Sequence, residues 1–208
     1  MGLESVSTDR VEEIRQSMQD VLQELLTSGS DAMEPYFETN TETVVDELYE
    51  TMNALYQQVQ VAQQQGKLGK IRYVRVFPRR VAVLEGTYSF TIRVYDEEGY
   101  SNPTEVSTEW NPDFLVRLFE SQLKQIEKHV DTQIFRLTTR EKQLVKQLFA
   151  DGFAFLALMF LTILRTVFIF VENIANVDCA EKIALTFGNY LEQGNVIEEF
   201  DKPGGSQT

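Results

Sequence analysis

Residues 153–171 read FAFLALMFLTILRTVFIFV, nineteen residues with one charge, Arg165. As a helix this stretch is about 28 Å long, close to the hydrocarbon thickness of a bilayer. Its apolar residues occupy every face, so it is no surface helix. A charge near the centre of a span costs about 2.5–3.5 kcal/mol, against roughly −0.3 to −0.6 for each Leu, Ile, Phe or Val, and insertion remains favourable. The leading reading is therefore a single transmembrane helix. Arg165 then snorkels to the nearer interface or pairs with an acid of another membrane subunit. The alternative is a central helix buried in a soluble domain, with Arg165 reaching a carboxylate at the rim. Such a helix needs a shell of other elements around it, which a chain of 208 residues supplies sparingly.

Upstream, Thr138-Thr139-Arg140-Glu141 is a capping box, so the long apolar helix is predicted over 139–172 within a segment 136–176. Arg136, Arg140, Lys142 and Lys146 precede the candidate span, and Asp178, Glu181, Glu198, Glu199 and Asp201 follow it. The positive-inside rule then keeps the N-terminal part on the cytoplasmic or matrix-equivalent side. In 177–208, Asp178 and Glu181 make another capping pair. Ala180, Ile183, Ala184, Phe187 and Leu191 form a stripe, predicting a short amphipathic helix and a polar tail. Phe187 and Leu191 become candidate partner contacts, since the polar face lacks the cations that lipid would favour.

Residues 1–135 read as an α+β domain. Val11, Ile14, Met18, Val21, Leu22 and Leu25 predict a helix over 9–28, opened by Asp9 and Glu12 and stopped by Gly29. After a loop with Pro35, Val44, Leu48, Met52, Leu55, Tyr56 and Val59 predict a second helix over 41–65, giving a helical hairpin. From Lys70 the period changes. Residues 71–77, 81–84, 88–95 and 104–110 are β-branched and aromatic and are divided by Pro78, Gly86, Gly99 and Pro103, which predicts an antiparallel meander of three to four strands within 70–110. Asn111-Pro112-Asp113 opens a covering helix, 112–131, with Leu115, Phe119, Leu123, Ile126 and Val130 on one face.

Charge is distributed unevenly: the net is −13, with −11 over 1–66 and +6 over 67–93. Arg72, Arg75, Arg79 and Arg80 lie in the cationic segment with aromatics between them and are candidate contacts for the chain's own acidic N-terminal helices, a protein partner or anionic headgroups. Nucleic acid is disfavoured by the overall charge, and Gly66-Lys67-Leu68-Gly69 leads into a strand where an RNA-clamping GxxG loop joins two helices.

Catalytic chemistry finds little footing. The chain has one His and one Cys, so a disulfide within the chain and a cysteine zinc site are excluded and a reducing, intracellular setting is the simpler reading. GxGxxG, P-loop, GxSxG and HExxH patterns are absent. His129 reads as an ordinary helix histidine and Cys179 as structural; no catalytic residue, metal or cofactor is expected. The N-terminus MGLESVSTDR reads as neither a secretory signal nor a transit peptide. The expectation is a non-catalytic, single-pass, membrane-anchored accessory subunit of a protein complex; the alternative is a soluble adaptor or apolar-ligand-binding module with helix 139–172 at its core.

Overall fold

A computed structural model describes residues 6–134, 136–189 and 194–202. The class is α+β. In chain order come α1 (Thr8–Gln64), β1 (Ile71–Pro78), α2 (Arg80–Glu85), β2 (Phe90–Asp96), β3 (Val106–Trp110), α3 (Asp113–Gln133), α4 (Thr139–Ile163), β4 (Cys179–Phe187) and β5 (Asn195–Asp201). The chain divides into two compact units. The first comprises Met1–Thr39, Arg80–Tyr88 and Pro112–Leu158, and the second Asn40–Arg79, Ser89–Asn111 and Met159–Thr208.

The expected helical hairpin is one continuous helix of 57 residues, α1, with Pro35 inside it. Gly29, read as a stop, is a close-approach glycine: a Cβ there would lie 2.6 Å from Leu156 Cδ1 and 3.0 Å from Gln122 Nε2. Pro35 lacks the N–H that would bond one turn back, a cost of about 3 kcal/mol. Burial of Met33 and Phe37 and the Tyr36–Phe114 ring stack at 4.3 Å hold that turn in place. The start also shifts, because Ser7 caps the helix: its Oγ accepts Arg10 N–H at 3.3 Å and its carbonyl accepts Val11 N–H. At the other end Gly66 adopts φ +68° and Lys67 N–H reaches back to Ala62 O, a Schellman closure.

In the first unit, α1 to Thr39, α2, α3 and the first part of α4 enclose an aromatic cluster. Phe119 of α3 meets Phe149 and Phe153 of α4 at 5.0 and 5.1 Å between ring centres, and Tyr88 at 4.9 Å. The capping box at the start of α4 is realised: Glu141 Oε2 accepts Thr138 N–H at 2.6 Å and Thr138 Oγ1 accepts Glu141 N–H at 3.3 Å. Residues 81–84, expected as a strand, belong to α2. Val81 and Leu84 are exposed while Ala82 and Val83 are buried, a pattern without the alternation a half-buried strand needs.

The second unit contains a mixed sheet of order β3-β2-β1-β4-β5. The antiparallel β1-β2-β3 meander is present, with Val74 opposite Val94 and Phe90 opposite Trp110. The sheet gains two strands where a C-terminal helix was expected. β4 runs parallel to β1, Val74 beside Leu185 and Val76 beside Phe187, and β5 returns antiparallel to it. The helical spacing in 180–187 is coincidental: as an inner strand, β4 is covered on both sides, and Ile183 through Phe187 are all buried. On the core face Trp110 packs on Phe90, Phe160 and Phe168 at 5.7, 6.2 and 5.9 Å, and Tyr56 donates its buried hydroxyl to Phe168 O at 2.8 Å.

The long helix is shorter than the apolar run. α4 stops at Ile163, and in the remainder of 153–171 a 3-10 turn over Arg165–Phe168 is followed by irregular chain. Its uncharged stretch, Gly152 to Ile163, is about 18 Å long, the size usual for a core helix. Phe149, Phe153, Leu156, Ala157, Phe160 and Leu161 are fully buried, whereas Phe155 and Ile163 are at least half exposed. One face of the apolar part of α4 is thus covered by the chain itself.

Candidate interaction surfaces

The sheet face opposite the core carries Arg75, one of the arginines singled out by sequence. Strand alternation sends Val74 and Val76 toward the core and Tyr73 and Arg75 to the opposite face on β1; Arg93 and Tyr95 of β2 lie on that same face by register and are themselves buried there. Register sets Tyr73 opposite Tyr95 and Arg75 opposite Arg93. Two cations directly opposed would repel. The conflict is relieved by Glu105, which takes Arg93 at 2.9 Å, and by tyrosine rings: the Arg75 guanidinium lies 5.2, 5.4 and 4.8 Å from the ring centres of Tyr73, Tyr95 and Tyr100. Arg75 also donates to the Tyr100 hydroxyl at 3.0 Å.

Arg72 donates to Lys182 O at 2.7 Å and to Glu199 at 2.9 Å, and Arg79 to Glu109 at 2.8 Å. The carboxylates that meet these cations come from β5, β3 and the loop before β3, all close to the strands that carry the arginines. Arg80 stands apart from the set, exposed at the first position of α2. Tyr95 and Tyr100 were not singled out in the sequence. The signal for Tyr95 is its place on the same strand face as Arg93; Tyr100 arrives through the turn at Gly99, which sequence spacing does not resolve.

Asp96 holds that turn. Its carboxylate accepts Gly69 N–H at 2.9 Å, Glu98 N–H at 3.0 Å and Asn102 Nδ2 at 2.6 Å, while Lys67 O accepts Asn102 and Thr104. The 66–69 glycine loop is thereby tied to the sheet, with Leu68 buried.

Arg165 has a partner in its own unit. Its Nε meets Glu198 Oε2 on β5 at 2.5 Å and its Nη1 donates to Thr162 O at 2.7 Å. Phe187 is 4% exposed and packs edge-on to Phe90, a core position of the sheet. Leu191 lies outside the described residues. Cys179 is buried, and its thiol is pushed up to about 11, chiefly by loss of water. His129 is half-buried on α3. Among the described residues no three His, Cys, Asp or Glu side chains cluster as a metal site would need.

No protein-family model, no curated protein and no solved structure matches the chain.

Proposed function

We propose that this chain is a water-soluble, non-catalytic binding module, an adaptor in which α4 is an inner helix of the fold. The observation that carries this reading is the end of α4 at Ile163 with Arg165, two residues on, bonded to Glu198 of the same chain. A span would have to carry this charge across hydrocarbon; here it meets a carboxylate at the rim, with both side chains about 40% exposed. The tyrosine and arginine face of the sheet supports a protein partner, because these side chains are enriched at protein interfaces. The test is expression of the full chain without detergent. The module sediments as a folded particle with Trp110 emission blue-shifted by burial; a chain found solely in the membrane pellet contradicts the reading.

A second reading, a membrane-anchored accessory subunit with anionic headgroups near Arg79 and Arg80, has one observation in its favour. The helix Thr139–Ile163 is long and apolar enough, by length and composition, to cross a membrane. The same fractionation separates the two.

A further inference from the structure

Between Arg15 and Lys67 the chain contains no Lys, Arg or His. In the first unit, Asp20, Glu24 and Asp31 recur on α1 at helical spacing, one stripe about 16 Å long. The three acids line an open hollow, and against it lies a groove of about 420 Å³ with Leu22 and Leu26 of α1 and Phe155 of α4 in its wall. Phe155 is 58% exposed, a large apolar ring left to water beside two half-exposed leucines.

Five cations of this unit are engaged elsewhere. Arg10 meets Glu13 and Glu141, Arg15 meets Glu12, Arg117 meets Asp113, Lys142 meets Asp131 and Lys146 lies near Glu127. Among the described residues none of Asp20, Glu24 and Asp31 has an ion-pair partner. An apolar floor with an unneutralised acidic border is the complement of a helix whose apolar stripe is flanked by Lys or Arg. An anionic lipid surface would be repelled by the same acids, and a second copy of a chain of net charge −13 is disfavoured on the same ground.

We infer that this groove receives a basic amphipathic helix of a partner protein, with its apolar stripe on Leu22, Leu26 and Phe155 and its cations on Asp20, Glu24 and Asp31. The inference rests on the reading of the chain as a water-soluble binding module, which leaves this face in water.

The probe is a synthetic lysine–leucine–alanine helix of about 18 residues with its leucines on one stripe, labelled and titrated against the full chain by fluorescence anisotropy. Saturable one-to-one binding is expected. Phe155→Asp weakens it by about tenfold or more, the usual scale for losing an interface anchor. The isosteric triple Asp20→Asn, Glu24→Gln, Asp31→Asn, which leaves packing intact, does the same and flattens the salt dependence. Glu38→Gln, Glu42→Gln, Glu50→Gln removes the same charge from exposed positions elsewhere on α1 and changes affinity by less than about twofold. Absence of saturable binding by a soluble, cooperatively melting chain overturns the groove alone, as do equal effects of the two triples, or a dimer that Phe155→Asp dissociates. Failure to recover the chain without detergent overturns the module reading instead.

Discussion

Arg165 Nε lies 2.5 Å from Glu198 Oε2, joining the turn that follows α4 to the edge strand β5. Both side chains are about 40% exposed, so the pair contributes less than about 1 kcal/mol after screening. Arg165→Leu is expected to lower the melting temperature by no more than about 2–4 °C and to leave the chain in the soluble fraction. An unchanged melting temperature together with firm membrane association would count against the tie.

The close packing at Gly29 of α1 gives a prediction opposite to helix propensity. Gly29→Ala gains about 1 kcal/mol of propensity, but its methyl would lie 2.6 Å from Leu156 and 3.0 Å from Gln122, both buried. Overpacking of this kind costs about 1–3 kcal/mol. A lower urea midpoint is expected. At Gly152 the nearest atom is Leu22 Cδ2 at 3.0 Å, the mobile end of a half-exposed side chain, so Gly152→Ala stays within about 1 kcal/mol of the parent.

Thr138 N–H and then Arg10 hold the Glu141 carboxyl below its ordinary value of 4.5. A depressed carboxylate stabilises the fold above its unfolded value, and that stability is lost as the pH falls through the folded value. Glu141→Gln should therefore cost about 1 kcal/mol at pH 7, the usual scale for a helix cap. The gap from the parent should close as the pH drops below 4.5. Urea midpoints of both proteins at pH 7 and pH 3 measure it; a gap independent of pH contradicts the role of the charge.

Burial pushes the Cys179 thiol up to about 11, with Asp178 adding to the rise and Lys202 opposing it. Native protein at pH 8 should react with a disulfide reagent far more slowly than unfolded protein, which carries an ordinary thiol. Equal rates in the two states would place Cys179 at the surface.

Local signals were legible where one element decides its own shape. The glycine closure at Gly66, the Thr138–Glu141 capping box and the three meander strands were all readable from neighbouring residues. Elements decided by distant partners were not. Gly29 and Pro35 carry strong stop signals, yet α1 runs through both, packed there against Leu156, Gln122 and Phe114. Residues 180–187 satisfy a helical stripe, and pairing with β1 makes them a strand. For the candidate surfaces, the arginines were visible, but Glu199, Glu109 and Glu105 reach them through strand pairing or a loop. The run 153–171 concealed its interruption because a 3-10 turn after Ile163 has no strong sequence mark.

With Cys179 silent, single cysteines report directly on α4. Phe155→Cys and Ile163→Cys stand at exposed positions, and Phe160→Cys and Leu161→Cys at fully buried ones. A charged, membrane-impermeant maleimide applied to detergent-free full-length chain should label the first two quickly and the second two only after denaturation. That pattern is the signature of a helix packed on one side and wetted on the other. Uniform protection of all four positions, lifted together by detergent, would mean that α4 lies in a bilayer and would contradict the account.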